Sequence, residues 1–287
     1  MDDKGVTAVL LISCPDQRGV VAAVSDFIYR NDGNIIHADQ HTDQEEHIFL
    51  QRVEWELDGF RIPRREIADA FRPLTDRFGM AWDLRFSDYV SRMAVFVSKM
   101  DHCLYDLLWR QQTKEFKAEI PLVVSNHEDL RPIAESFGVE YDCCPMTRET
   151  RAAQERCIIE KLEELRIDLV VLARYMQILT PEFVRRYPNR MINIHHSFLP
   201  AFAGAKPYHK AYERGVKIIG ATAHYVTEEL DQGPIIEQDV ARVSHRDSVA
   251  DLIRKGRDLE KVVLARAVNV HLRNGVLVYG NKTVVVE

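Results

Sequence analysis

One stretch, residues 191–239, gathers residue types that can do chemistry. Asn193 and His195 stand two apart in the short apolar run MINIH, which is bounded by turn signals as a buried strand is. Side chains alternate along a strand, so Asn193, His195 and Ser197 share one face while Ile192 and Ile194 point to the other. An amide and an imidazole on one buried face forgo the burial energy that apolar residues would supply. The loop that follows, 198–205, carries Pro200 and Gly204, so both polar groups stand near a strand end beside a turn. Farther on, 216–226 reads as another buried strand, and Glu228-Glu229-Leu230-Asp231-Gln232-Gly233 as a turn bearing carboxylates. A hydrogen-bond donor, an acid/base and a carboxylate are the groups that acyl transfer needs. Donors hold a tetrahedral oxyanion, and the titratable pair moves a proton.

These groups need a scaffold, and the preceding sequence supplies one. Strand-like runs at 93–98, 120–125, 168–173 and 191–195 alternate with helical patterns at 102–111, 130–137, 149–165 and 181–187. Such alternation predicts βαβ units and a mainly parallel sheet, whose ligands bind beyond the carboxyl ends of the strands. Asn193 and His195 lie at such an end. Residues 248–272 read as an amphipathic helix, and 276–286, broken at Gly280-Asn281, as a terminal hairpin. The first 86 residues are organised differently. Strands at 7–13, 35–42, 48–57 and 80–86 and helices at 20–28 and 67–74 give the order βαββαβ, a two-layer module. The expected boundaries are a first domain over 1–86, a polar connector over 87–92 and a second domain over 93–287.

Composition excludes several classes. An apolar share of 46% and a charged share of 29% are those of a globular chain with a proper core. The net charge of −6 argues against a protein that works by neutralising nucleic-acid phosphates. The acidic start MDDKG, followed by a short apolar run at 6–12, is neither a signal peptide nor a membrane span. Five cysteines, an odd number with no C-x-x-C pair, fit a reducing compartment, so cytoplasmic residence is expected. The adjacent Cys143 and Cys144 suit neither a metal knuckle nor a disulfide, and the five thiols read as buried or bystander groups. A metal site from His195, His196 and His224 is disfavoured, because strand neighbours face opposite ways and no further ligand stands at the right spacing.

Two family resemblances follow from these residues. The βαββαβ order and Asp16-Gln17-Arg18-Gly19 at the first strand-to-helix turn resemble an ACT domain, a small regulatory fold that is ferredoxin-like in topology. The resemblance implies an amino-acid effector at Asp16 and Gly19 and self-association into a homo-oligomer. At Gly19 two readings stay open: a close approach of backbone to a ligand, or a turn that only glycine permits. Asn193-Ile194-His195, Ser197-Phe198-Leu199-Pro200, Gly204 and Asp231-x-Gly233-Pro234-Ile235-Ile236 are similar to the signature of the folate-dependent formyltransferases, over about residues 93–285. The implied fold class is α/β, an ACT-like domain followed by a mainly parallel Rossmann-like sheet of the formyltransferase type.

By that resemblance Asn193 and His195 hold the oxyanion, Asp231 moves the proton with His195, and His224 steadies the Asp231 loop from behind. Met176, Gln177, Ile178 and Leu179 line the pterin pocket; the alternative is that the apolar ones merely pack. The family that joins an ACT-like domain to such a catalytic domain hydrolyses 10-formyltetrahydrofolate to tetrahydrofolate and formate. That reaction balances the one-carbon folate pool and supplies formate for purine biosynthesis. The folate is then the substrate, and no cofactor, metal, nucleic acid or membrane is implied. One departure bears on the acceptor. Transformylases that use a phosphorylated amine have a glycine-rich phosphate loop after the first strand. Here the turn is Ser98-Lys99-Met100-Asp101-His102-Cys103, with no glycine and with an acid, which points to water as the acceptor and leaves Lys99 or His102 to fill the pocket. A formyltransferase acting on an amine and a non-catalytic sensor are the competing readings.

Overall fold

The computed structural model describes residues 5–200 and 207–286, so Gly204 of the formyltransferase-like signature lies outside the described residues. The chain divides into two units, one running to Tyr89 and resuming at Arg273, the other spanning Val90–Leu272.

The first unit contains β1 (Thr7–Pro15), α1 (Val20–Arg30), β2 (Ile35–Asp43), β3 (Ile48–Glu56), α2 (Ile67–Phe78) and β4 (Ala81–Phe86). Its sheet has the order β2-β3-β1-β4, every pairing antiparallel. Period-two alternation aims Ala8, Leu10, Ile12 and Cys14 of β1 at one core, where Val20, Val24 and Ile28 of α1 meet Ile67, Phe71 and Phe78 of α2. The edge strand β2 stays exposed from Ile36 to His41, its polar side chains blunting the open edge.

The second unit runs β5 (Ser91–Val97), α3 (His102–Gln112), β6 (Ala118–Ser125), α4 (Arg131–Ser136), β7 (Glu140–Cys143), α5 (Arg151–Glu164), β8 (Leu169–Leu172), α6 (Pro181–Arg186), β9 (Met191–His195), α7 (Pro207–Arg214), β10 (Ile218–Tyr225), β11 (Ile235–Arg242) and α8 (Val249–Leu272). The seven strands lie in the order β11-β10-β9-β8-β5-β6-β7. From β9 to β7 the pairings are parallel, while β10 and β11 are antiparallel. The order reverses between β5 and β8, one chain segment turning towards β6 and the other towards β9. The crevice outside such a switch point is where open α/β sheets place ligands. Three elements escape the periodicity reading. β7 is four residues long, α7 is a helix of eight residues, and β11 carries the polar run Glu237-Gln238-Asp239, which masks its alternation.

The terminal hairpin, β12 (Val276–Tyr279) and β13 (Lys282–Val285), corrects the expected boundary at 93–287. It belongs to the first unit, with β12 against β1 and β3. Tyr279 donates its hydroxyl hydrogen to Asp43 Oδ2 at 3.0 Å, Lys282 Nζ donates to the same oxygen at 3.0 Å, and Arg52 Nε donates to the Asn274 carbonyl at 3.1 Å. The connector is also shorter than expected, since β5 begins at Ser91.

In the second unit Phe96 on β5 is fully buried, its ring edge-on to Tyr175 at 5.3 Å and to Phe183 at 5.9 Å between centroids. Phe96→Ala is expected to cost about 3–5 kcal/mol of stability, measured by denaturant unfolding.

Candidate active site

Two polar anchors suspend the loop after β8 over the switch point. At its start the Met176 N–H donates to Ser98 Oγ at 3.0 Å, and Ser98 Oγ donates to Asn126 Oδ1 at 2.6 Å. At its end the Thr180 N–H lies 3.2 Å from both oxygens of Glu155, and the Thr180 hydroxyl donates to the same carboxylate. Glu155 is only 2% exposed, so this buried acid has a clear structural task. Between the anchors the four pocket candidates separate. Leu179 sinks into the core beside Phe183 and Tyr187. Met176 and Ile178 remain 60% and 58% exposed, and all four line a cavity of about 720 Å³. Apolar side chains left standing at a cavity mouth suit a flat heterocycle better than packing does.

The opposite wall comes from the β9–β10 pairing. Its register sets Asn193 across from His224 and His195 across from Thr222. Thr222 is fully buried and pins the end of β9: its hydroxyl donates to the Ser197 carbonyl at 2.9 Å and accepts from the Leu199 N–H at 3.0 Å. Ser197 lies beyond β9, so the strand's shared polar face consists of Asn193 and His195. Asn193 Nδ2 lies 3.2 Å from His224 Nε2, and His224 Nδ1 lies 2.9 Å from the Tyr225 carbonyl oxygen. A carbonyl can only accept, so Nδ1 of His224 carries a proton. In the neutral ring Nε2 then accepts from the Asn193 amide, which fixes that side chain with its second N–H free to donate.

Asp231 faces both imidazoles, with Oδ2 at 3.2 Å from His195 Nδ1 and Oδ1 at 3.7 Å from His224 Nε2. The hydrogen bond from His195, foremost, holds its carboxyl well below the ordinary carboxylate range despite partial burial. Since a carboxylate only accepts, Nδ1 of His195 is the protonated nitrogen. Its Nε2 is buried without a hydrogen-bond partner among the described residues and lines the cavity. The Asp231 backbone takes a left-handed φ of 56°, which aspartate tolerates better than most residues. Two residues on, a Cβ on Gly233 would lie 1.7 Å from the Tyr225 carbonyl oxygen, and the Tyr225 N–H donates to the Pro234 carbonyl at 2.9 Å. The Asp231-x-Gly233-Pro234 spacing is therefore what lets the turn fold back against β10 and aim the carboxylate at β9.

Sequence reasoning missed most of a second polar cluster on the same cavity. Glu260 of α8, 1% exposed, takes His102 Nε2 at 2.8 Å on one oxygen and the Tyr208 hydroxyl at 2.7 Å on the other, with Arg174 Nε 3.5 Å from its Oε2. Burial alone would raise this carboxyl; His102, Arg174 and Tyr208 outweigh it and leave Glu260 below its usual range. Of the expected pocket fillers, His102 lines the cavity, whereas Lys99 is exposed. His102, Cys103 and Glu260 are close enough to surround an ion. Both Glu260 oxygens are engaged, the Arg174 guanidinium adds positive charge, and burial pushes the Cys103 thiol up, so the group reads as a hydrogen-bonded cluster. No signal in the local sequence joins residues 102, 174, 208 and 260. All five cysteines are unpaired; Cys14 and Cys103 are buried and Cys157 is exposed.

Residues 91–268 match the formyl transferase family and residues 8–76 the ACT domain family. The formyltetrahydrofolate deformylase of Synechocystis sp. is 60% identical over 282 residues, which cover 98% of this chain and 99% of that protein. The chain belongs to the formyltetrahydrofolate deformylase family. A crystal structure of a deformylase from Pseudomonas syringae pv. tomato agrees with a TM-score of 0.96 at 46% identity, covering 98% of this chain and 95% of that one. A glycinamide ribonucleotide transformylase from Symbiobacterium toebii, 29% identical with a TM-score of 0.66, covers 71% of this chain and 98% of its own.

In the ACT unit of this deformylase-family chain, Gly19 has φ 94° and ψ −4° at the start of α1, a left-handed geometry that supports the turn reading directly. Asp16 is exposed, its N–H donating to the His47 carbonyl at 2.8 Å, and Gln17 Nε2 donates to the Phe78 carbonyl at 3.0 Å. The described residues contain no helix long and apolar enough to cross a membrane.

One titration follows from the deformylase-family site. Burial first, then the Arg174 and His195 charges, push His196 down to about 4. The unfolded chain therefore binds a proton that the folded one refuses between pH 6.5 and 4. Stability is expected to fall as pH drops through this window, by at most about 3 kcal/mol from this group. His196→Gln should flatten that limb of a thermal-unfolding pH series.

Proposed function

We propose that this chain hydrolyses 10-formyltetrahydrofolate to tetrahydrofolate and formate, with Asn193, His195 and Asp231 at the reacting carbon. The observation that carries the assignment of residues is the unpartnered His195 Nε2 on the cavity wall, beside an Asn193 amide with one N–H to spare. Likeness to deformylases over nearly the whole chain supports the reaction.

The pterin lies along Met176, Gln177, Ile178 and Leu179, which brings the formamide to the β9 wall. Water attacks the formyl carbon as His195, oriented by Asp231, takes up its proton at Nε2. The new C–O bond turns the carbonyl oxygen into an oxyanion, which accepts from Asn193 Nδ2 and from the imidazolium. His195 then gives the proton to the departing folate nitrogen, the C–N bond breaks with its electron pair on that nitrogen, and the formic acid formed loses its proton to solvent as formate. The Asp231 carboxylate stays ionised throughout, favouring the imidazolium and holding its tautomer, as the carboxylate of a catalytic triad does. His224 keeps Asn193 in register. The reaction balances with water alone and calls for no cofactor. Transfer to an amine is not favoured, because the relatives that match this chain end to end are deformylases.

As further parts of the same reading, the ACT unit senses a small amino acid at the Asp16–Gly19 turn, self-association runs through that unit, and the protein resides in the cytoplasm. The exposed turn and the five unpaired cysteines support these assignments.

Purified protein given 10-formyltetrahydrofolate without any amine is expected to release formate stoichiometrically with tetrahydrofolate. Asn193→Ala should lower kcat about 10²–10³-fold with little change in KM. Persistence of the formyl folate in that tube, or a variant as fast as the parent, would refute the assignment.

A further inference from the structure

Arg174 occupies a backbone position that an L residue other than glycine seldom takes. Its φ is 65°, at the first residue past the strand-like run that ends in Ala173, on the crevice outside β8. A long side chain held in left-handed conformation is strain retained for a reason. The side chain is 14% exposed, lines the same cavity as His195 and lies 3.5 Å from Glu260, yet Nε finds no hydrogen-bond acceptor. Glu260 in turn is clamped by His102 and Tyr208.

This cluster is contiguous with the reaction centre. The His195 and His196 rings are 5.1 Å apart, and His196 meets Tyr208 at 6.2 Å between centroids. Tyr208 reaches Glu260 because Gly256, one helical turn earlier on α8, leaves room for its ring; a Cβ there would lie 2.0 Å from the phenol oxygen. His102 comes from the first position of α3, and the turn before it offers no glycine. The fold has thus converged four polar side chains from four elements on this cavity.

We infer that Arg174, braced by Glu260, His102 and Tyr208, is a specificity plug: it occupies the place of an amine acceptor beside the formyl carbon and leaves room for water. The inference rests on the hydrolytic reading above and says what enforces it. The plug acts by exclusion. An amine has to bring a carbon substituent into this space, whereas water brings none. The braced ion pair resists displacement because opening it strands a buried carboxylate.

The test is product partition in the full-length protein with 10-formyltetrahydrofolate and glycinamide. In transfer the amine nitrogen lone pair forms the new bond to the formyl carbon. The bond to the folate nitrogen breaks with its pair on that nitrogen, and the proton lost by the amine ends there. The parent protein is expected to give formate at every glycinamide concentration. Arg174→Gly, whose backbone suits φ 65° but which takes the guanidinium from beside buried Glu260, should fold with a lower Tm. It should raise the ratio of N-formylglycinamide to formate by about tenfold or more. Glu260→Gln, which releases the brace, should move the ratio the same way by a smaller factor and stands in if the glycine variant does not fold. Formate as the sole product of the folded variants overturns the plug. So does a folded Arg174→Gly that makes neither product, since Arg174 would then serve the chemistry itself. Failure of the parent to release formate would instead refute the hydrolytic reading.

Discussion

The antiparallel pairing of β9 with β10 is the constraint on which the site depends. A parallel sheet by itself presents strand ends and loops; it does not bring a side chain from the middle of one strand face to face with one from its neighbour's return. Here the register fixes Asn193 against His224, and Thr222 seals the end of β9 so that His195 cannot drift. The turn between β10 and β11 then folds back far enough for one carboxylate to face two imidazoles. A shift of one residue in that register would turn both polar groups of β9 into the core and their apolar neighbours outward.

The cavity shows two solutions to burying charge. On one side Asp231 is balanced by rings that can gain and lose protons, so the balance is adjustable. On the other Glu260 is balanced by a guanidinium that never titrates, by a phenol and by an imidazole, and each of its oxygens is engaged. The first arrangement suits proton movement and the second suits permanence. Between them His196, kept neutral at physiological pH by its burial, adds no further charge beside Arg174. The apolar loop of Met176 and Ile178 completes the chamber, held by Ser98 and Glu155 at its ends like a strap between two posts.

The reactive half of this chamber was legible in the chain because its information is local. Asn193 and His195 alternate on a recognisable strand, and Asp231 sits in a turn whose glycine and proline announce it. The βαββαβ order of the first unit was equally plain, since each of its strands and helices carries an unbroken period. Arg174, Tyr208 and Glu260 were not legible. Each lies in a segment where a charged or phenolic residue would ordinarily face solvent, and only tertiary packing turns them inward. β11 was hidden for a related reason: Gln238, which bonds the Leu199 carbonyl and Thr222 across the sheet, sits in a polar run that reads as a turn. The destination of the terminal hairpin is long-range information too. Its alternation says strand, and nothing nearby says which sheet face it will cover.

That destination has a consequence for how the molecule is made. Synthesis delivers the first six elements early, then the whole of the catalytic unit, and only after it the hairpin whose β12 packs against β1 and β3. The first unit therefore waits, with one side of its sheet uncovered, until α8 has been made. Its maturation is tied to completion of the catalytic unit. A chain interrupted late in translation would carry a finished reaction centre and an unfinished first unit.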